Sequence, residues 1–237
     1  MNVEKLLEMF KMQEELNIYI AGNDWKSGIT KTGNEINWLR CARFELVEAI
    51  DQSFQWKHWK NNLEISQYDI INKENLKIEI VDVYHFIMSE LLAQNYEAIN
   101  NIAKLAIVID TIKPFKFSKN RQLVKQIEKF EYFIFKYEYK KIKDFESLTM
   151  LFKDFWELAL SVMSFEELYR MYILKNVLNL FRQKHGYQNG TYIKNWGKDK
   201  IEDNVFLDKY IQTGGKIEFE LIYNYLEKNY QELNQGM

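Results

Sequence analysis

The sequence predicts an all-α protein, because its 237 residues contain very few of the residues that interrupt helices. It has one proline, Pro114, and nine glycines, so long segments run without the turn signals that separate the strands of all-β folds. A hydrophobic content of 47% is enough for a substantial core. We therefore predict a single domain over residues 1–237, built as a multi-helix bundle.

Breaks in the helical pattern divide the chain into its predicted elements. Glycines and turn-forming residues interrupt it at 21–34 and 186–199, and Gly214 with Gly215 separates the last two helices. The predicted helices cover residues 3–20, 36–53, 74–94, 97–111, 118–138, 145–162, 165–185, 201–211 and 216–231.

Local signals support two features of this arrangement. Ser164, followed by Glu167 three residues later, has the capping-box pattern that starts a helix at residue 165. The helices at 36–53 and 74–94 are too apolar for a single amphipathic stripe. We therefore expect these two helices at the centre of the bundle.

Composition excludes several classes of protein and partner. A net charge of −2 argues against a general nucleic-acid coat, since that affinity comes from an excess of Lys and Arg. The single cysteine, Cys41, excludes an internal disulfide and suits a reducing compartment. The first residues lack the pattern of a signal peptide, and no segment approaches the roughly 20 apolar residues that span a bilayer. We expect a cytoplasmic protein without membrane or nucleic-acid partners.

Two pairs of acids stand three residues apart in the predicted central helices: Glu45 with Glu48, and Glu79 with Asp82. Residues at this spacing are neighbours on one helix face, with β-carbons roughly 5–6 Å apart. Either pair alone is more readily explained by one acid that faces water or meets a lysine, since acids at this spacing occur by chance in many helices. If the two helices pack together, however, four acids share an apolar surround, where carboxylates must be protonated, paired or bound to a cation.

The two pairs together predict a four-carboxylate metal site between the two central helices. All-oxygen ligation suits Mg²⁺, with Mn²⁺ as the alternative. His85 follows Asp82 by three residues. It is a candidate ligand, although a core histidine or a substrate contact is the favoured interpretation.

A polar stripe near the end of the predicted helix 165–185 is suited to binding phosphate. Lys175, Asn179 and Arg182 have helical offsets of 0, 4 and 7, so they lie near one face. Tyr187 and Lys194 follow in the loop. Arginine binds phosphate through its planar fork and lysine acts as a point charge. The alternative is a basic surface helix without a ligand.

Residues 56–60 read WKHWK and have two interpretations. Lysines between aromatic residues can neutralise phosphates while the rings stack on bases. The same tryptophans can equally be core residues of a loop.

Taken together, these segments resemble the dimeric all-α dUTPases, which belong to the wider all-α nucleoside triphosphate pyrophosphatase superfamily. The resemblance rests on LEMFKMQEELN at 7–17, ELVEAIDQSFQWKHWK at 45–60, EIVDVYHFI at 79–87 and KNVLNLFRQKHGYQNGTYIKNWGKDKIEDN at 175–204. The paired acids alone indicate only the superfamily. The WKHWK and LNLFRQ…GYQNGTY segments narrow it to the dUTPase branch. The chain departs from that branch at Gln55, where proline is expected.

The resemblance implies a homodimer that uses Mg²⁺ to hydrolyse dUTP, and also dUDP, to dUMP with release of pyrophosphate or phosphate. It makes all four acids metal ligands, and it implies that Glu45 or Glu48 also orients or deprotonates the attacking water. It places the amides of Gln13 and Asn17 near the base. The other predicted substrate-binding residues are Trp56, His58 and Phe86 toward the nucleoside, Lys175, Asn179, Arg182, Tyr187, Lys194 and Asn204 toward the sugar and phosphates, and Lys60.

Two other functions are compatible with the same residues. One keeps the enzyme class and changes the nucleotide, giving a pyrophosphatase for dCTP or damaged dNTPs, which a comparison of turnover across dNTPs would distinguish. The other is a non-enzymatic helical protein that binds nucleic acid through residues 56–60. That function predicts metal-independent binding to single strands, and the mildly acidic net charge argues against it.

Overall fold

The computed structural model describes residues 3–53, 72–94, 101–117, 120–140 and 144–234. The prediction of an all-α fold is confirmed, since these residues form nine α-helices and two strands of two residues each. The helices are α1 Val3–Ala21, α2 Trp38–Ser53, α3 Lys73–Ala93, α4 Ile102–Asp110, α5 Asn120–Lys140, α6 Phe145–Val162, α7 Phe165–Lys184, α8 Asn204–Gln212 and α9 Phe219–Asn234. The strands are β1 Asn195–Trp196 and β2 Ile201–Glu202.

The chain divides into two compact units, residues 1–168 and 169–237. The first unit contains α1 to α6 and the first turn of α7, and the second contains the rest. The single domain remains a prediction. Within the described residues, no helix combines the length and the apolar composition that crossing a bilayer requires.

In the first unit, α3 is the central helix and packs against α1, α2 and α6. It begins at a cap in which Asn72 accepts a hydrogen bond from the backbone N–H of Asn75, at 3.0 Å. Its buried side chains lie on several faces, as the sequence predicts. Ile80, Val83 and Ile87 are completely buried, and each such side chain contributes roughly 1.5–3 kcal/mol of transfer free energy.

The other predicted central helix, α2, differs from expectation because it buries one stripe. Leu39, Ala42, Leu46 and Ala49 are buried at spacings of three and four residues, the pattern of an amphipathic helix. Its main packing partner is α3. The remaining faces of α2 expose apolar as well as charged side chains. Because apolar residues therefore occur on every face of α2, the sequence pattern predicts a helix that is buried on all sides.

The start of α7 is capped as predicted. Ser164 accepts a hydrogen bond from the backbone N–H of Glu167, at 3.2 Å. The carboxylate of Glu167 pairs with Lys77 on α3. The cap therefore stabilises the helix terminus, while the Glu167 side chain ties that terminus to α3.

The second unit is built around aromatic rings. The rings within 6.2 Å of Phe181 belong to His185, Tyr192, Trp196, Tyr223 and Tyr230. The strands β1 and β2 pair antiparallel within and just after the predicted loop. Because Ile201 and Glu202 are used in this pairing, α8 begins at Asn204 rather than at residue 201.

Candidate functional site

Three of the four predicted metal ligands lie together in the first unit. Carboxylate oxygens of Glu45, Glu48 and Glu79 all lie within 4.8 Å of one another. Glu45 and Glu48 are one turn apart on α2, and Glu79 lies on α3. The packing of α2 on α3 therefore brings the acids of two helices to one place.

The acids are less buried than the sequence suggests. Glu45 and Glu79 are half-buried, but Glu48 is exposed, because α2 turns only its Leu39–Ala49 stripe inward. Asp82 is half-buried, one turn beyond Glu79 on α3, and lies outside the group of three.

The donor set of this group fits a hard divalent cation. It consists entirely of carboxylate oxygens, the ligands that Mg²⁺ and Mn²⁺ prefer. Cys41 lies one turn before Glu45 on α2. Burial raises the pKa of the Cys41 thiol, and the negative charge of Glu45 raises this pKa further. The sulfur therefore remains protonated near neutral pH and does not compete as a thiolate ligand.

Gln13 and Asn17 form a buried polar cluster with Ser89 and His85. Gln13 is 3% exposed and Asn17 is 1% exposed. The Gln13 amide donates to Asn17 Oδ1 at 3.0 Å and to Ser89 Oγ at 2.9 Å. Asn17 Nδ2 donates to Ser89 Oγ at 3.0 Å.

The cluster also accounts for His85. Its Nδ1 lies 2.7 Å from Gln13 Oε1, and the residue is buried. The group of clustered acids does not include it. Of the three roles that the sequence left open, this position favours a core histidine that supports the amides.

The predicted nucleoside contact Phe86 lies beside aromatic residues of the same unit. Its ring stacks on Trp38, with centroids 6.2 Å apart, and Trp38 meets Trp25 edge to face at 6.0 Å. Phe86 follows Asp82 by one turn and precedes Ser89 by three residues on α3. Trp56, His58 and Lys60 lie outside the described residues.

In the second unit, Arg182 is held by a buried carboxylate. Its Nε and Nη2 donate to Asp203 Oδ2 and Oδ1 at 2.8 and 2.7 Å. The Asp203 side chain is 0% exposed, and that of Arg182 is 12% exposed. Arg182 also donates to Asn179 at 3.3 Å and to Asn204 at 3.4 Å. Two residues of the polar stripe on α7, Asn179 and Arg182, are thus part of a hydrogen-bonded network.

Tyr192 completes this network. Its hydroxyl donates to Asp203 Oδ2 at 2.8 Å and accepts from Trp196 Nε1 at 3.2 Å. Burial raises the pKa of the Tyr192 hydroxyl far above its usual range, and the charge of Asp203 adds to this effect. The hydroxyl therefore remains a donor at every physiological pH.

The other predicted residues of the second unit have different surroundings. Lys175 is buried on α7. Tyr187 is exposed in a turn that begins at Gly186. The backbone of Gly186 has φ +90°, and a β-carbon there would collide with the Thr191 side chain, so glycine is required. Lys194 is half-exposed and pairs with Glu202 at 2.7 Å.

Ser89 and Asp203 contact the predicted site residues but were not predicted from the sequence. Ser89 is one helical turn after His85, so it shares a face with a residue that the pattern had singled out. That spacing was a usable signal. Asp203 follows a two-residue strand and had no comparable periodicity.

Comparison with known proteins agrees with this arrangement. A family model described as dUTPase matches residues 5–187, which is more than half of the chain. No curated protein matches the chain. The matched region includes all four acids, both amides and Arg182. The chain therefore belongs to the dUTPase family, the enzymes that hydrolyse dUTP.

Proposed function

We propose that this dUTPase hydrolyses dUTP and dUDP to dUMP in a reaction that depends on Mg²⁺, releasing pyrophosphate from dUTP and phosphate from dUDP. The observation that carries the proposal is the group formed by Glu45, Glu48 and Glu79, with carboxylate oxygens within 4.8 Å in a member of this family. We also propose the cytoplasm as its location.

The acids would hold the cation and prepare the water. Bound Mg²⁺ would neutralise phosphate oxygens and lower the pKa of a coordinated water. Glu45 and Glu79, half-buried on facing helices, provide ligand oxygens from two directions. Glu48 is the most exposed of the three, which suits an acid that also orients or deprotonates water. Asp82, one turn from Glu79, is the proposed fourth ligand.

The substrate-binding residues predicted from the family resemblance are part of the proposal. In the first unit these are Gln13 and Asn17 on α1 and Phe86 on α3. The helix α3 also carries two of the four acids. Since both amides are buried, a base that contacts them must displace the side chains that now cover them. In the second unit, Arg182 and its neighbours are proposed as phosphate contacts.

The amides of Gln13 and Asn17 would select the base. Uracil presents O4 as an acceptor and N3–H as a donor, whereas cytosine presents the reverse at both atoms. An amide offers one donor group and one acceptor group, so a fixed amide matches only one of the two bases. The hydrogen bonds around Gln13 and Asn17 support a fixed orientation.

Asn17→Asp should move the dUTP/dCTP ratio of kcat/KM toward dCTP by about tenfold or more, because a buried mismatched polar group costs roughly 1–3 kcal/mol. A carboxylate cannot donate to uracil O4. Steady-state kinetics on both nucleotides measure the ratio. Asn75→Asp, at an exposed position in the first turn of α3, is the control and should leave the ratio unchanged. If Asn17→Asp lowers kcat/KM for dUTP and for dCTP by the same factor, Asn17 does not select the base.

The homodimer is also part of the proposal, and an exposed apolar face supports it. Phe44 on α2 is 64% exposed, while Phe135 and Tyr139 on α5 are 50% and 80% exposed. Arg43 connects the two helices through a 2.9 Å ion pair with Glu138, and its guanidinium lies over the Phe135 ring. Exposed apolar surface of this kind is typical of protein interfaces.

Tyr139→Glu should convert the dimer to a monomer. A charge within an apolar contact has to be desolvated on association, while at 80% exposure the substitution of Tyr139 costs the folded monomer little. Light scattering should give twice the mass of one chain for the unmodified protein and half that value for the variant. Ile29→Glu, at an exposed loop position, should leave the dimer intact. A monomeric unmodified protein at micromolar concentration would contradict the proposal.

A nucleotide panel tests the proposed activity. With Mg²⁺ present, we expect dUTP and dUDP to be hydrolysed with much higher kcat/KM than dCTP, dTTP or dATP, and dUMP should be the shared product. Faster turnover of dCTP than of dUTP would contradict the proposed substrate.

A further inference from the structure

We infer that Ser89 is a positioning residue that fixes how the Gln13 and Asn17 amides are oriented, and that it thereby sets the preference for uracil over cytosine. The inference rests on the proposed function of these amides. It concerns a side chain that contacts both amides, since Ser89 is completely buried on α3 and its hydroxyl lies within hydrogen-bond distance of Gln13 and Asn17.

The single proton of the Ser89 hydroxyl is committed to the backbone. Ser89 Oγ lies 2.8 Å from the carbonyl oxygen of His85, one turn back on α3, and 3.2 Å from Asn17 Oδ1. A hydroxyl has one proton to donate, and the shorter contact to the His85 carbonyl takes it. The oxygen therefore turns its lone pairs toward the amides and acts on them only as an acceptor.

Both amides place their nitrogen against this acceptor. Gln13 Nε2 and Asn17 Nδ2 lie 2.9 and 3.0 Å from Ser89 Oγ. Turning the Gln13 amide over would bring its oxygen against the lone pairs of Ser89 and lose a buried hydrogen bond. Such a loss costs about 1–3 kcal/mol when the remaining group is left buried and unsatisfied.

The remaining contacts couple the two orientations. Gln13 Nε2 also donates to Asn17 Oδ1 at 3.0 Å, and Gln13 Oε1 lies 2.7 Å from His85 Nδ1. With Gln13 held in this way, Asn17 Oδ1 must be the atom that faces it. Ser89 therefore fixes the Asn17 amide through Gln13, whose nitrogen it holds in place.

The orientation of Asn17 matches uracil. Among the hydrogen bonds of the described residues, Asn17 uses one N–H toward Ser89 and one oxygen lone pair toward Gln13. Ser89 Oγ lies 3.0 Å from Asn17 Nδ2 and 3.2 Å from Asn17 Oδ1, so it occupies the edge of the amide on which an N–H and a lone pair are adjacent. The second N–H of Asn17 points away from this edge. This N–H can donate to uracil O4, whereas cytosine presents a donor at that position and requires the amide to be turned over.

Ser89→Ala should lower the dUTP/dCTP ratio of kcat/KM by about fivefold or more, because loss of one buried hydrogen bond of ~1 kcal/mol removes the bias between the two amide orientations. Ser89→Cys nearly preserves the side-chain volume but bonds only weakly through sulfur, so it should shift the ratio in the same direction. Ser161→Ala is the matched control. Its hydroxyl also donates to a carbonyl one turn back, that of Glu157 at 2.7 Å, but it accepts from a backbone N–H.

The outcomes separate this inference from the proposed function. An active Ser89→Ala or Ser89→Cys enzyme with an unchanged ratio would overturn the role of Ser89 and leave the dUTPase proposal standing. A shift in Ser89→Ala without a shift in Ser89→Cys would assign the effect to the cavity and would also overturn it. An unmodified protein that hydrolyses neither nucleotide would overturn the proposed function, and the inference with it.

Discussion

Glu79→Gln should lower kcat/KM for dUTP by at least about a hundredfold, since even residues that only support a metal ligand contribute about 10–100-fold. The reason is that a Glu79 oxygen lies within 4.8 Å of oxygens from Glu45 and Glu48. Removing one of three clustered charges weakens cation binding but relieves repulsion in the metal-free protein. Its free energy of unfolding should therefore stay the same or rise. Pyrophosphate release and urea unfolding with a chelator measure the two effects.

Two further variants make this result specific. Glu146→Gln removes an exposed acid from the first turn of α6 and should leave turnover unchanged. Asp82→Asn should match the loss of Glu79→Gln if Asp82 is the fourth ligand. Near-normal turnover of Asp82→Asn would reduce the site to three acids. Near-normal turnover of Glu79→Gln would contradict the metal site itself.

Arg182→Ala should destabilise the second unit by about 3–5 kcal/mol, the usual cost of leaving one partner of a buried ion pair without the other. Asp203 is 0% exposed and makes 2.7 and 2.8 Å bonds with the guanidinium. After the substitution its charge would remain in an aromatic interior with Tyr192 as a donor. Denaturant unfolding monitored by far-UV circular dichroism measures the loss.

The partner of Arg182 provides the decisive comparison. Adding Asp203→Asn to Arg182→Ala removes the buried negative charge that has lost its arginine partner. The double variant should therefore recover part of the lost stability. Arg170→Ala, at an exposed position on the same helix, should change the unfolding free energy by less than about 0.5 kcal/mol. An Arg182→Ala protein as stable as the unmodified one, with lost turnover, would make Arg182 a substrate contact without a structural role.

Most of the helices could be predicted from the sequence because the chain has few residues that stop a helix. The exceptions have local physical causes. The start of α8 shifts to Asn204 because β1 and β2 pair, and strands of two residues are too short to show alternation. The exposed side of α2 could not be predicted from the sequence because this side carries the apolar residues Phe44 and Val47.

The acid pairs could also be predicted, since a spacing of three residues puts two side chains on one helix face whatever the tertiary structure. Which acids group together depends on how far α2 is rotated and shifted against α3. The sequence does not show how the two helices pack, and in the structure their packing leaves Asp82 outside the group of Glu45, Glu48 and Glu79. The four-residue spacing of Gln13 and Asn17 agrees with the 3.0 Å hydrogen bond between them.

The hydrogen-bond partners of the amides could not be predicted in the same way. Ser89 is 72 residues from Asn17, so only the packing of α1 on α3 brings them together. Whether its oxygen donates or accepts depends further on a 2.8 Å bond to the His85 carbonyl. Asp203 reaches Arg182 only after the chain has turned through β1 and β2.

The metal dependence of dUTP hydrolysis tests the central claim most directly. The protein is first stripped of divalent cations with a chelator, and pyrophosphate release from dUTP is followed before and after Mg²⁺ is restored. Because Glu45, Glu48 and Glu79 form an all-carboxylate group, we expect no release from the stripped protein and full release with Mg²⁺. Release at the same rate in the presence of the chelator, or no release from dUTP with Mg²⁺ or Mn²⁺, would contradict it.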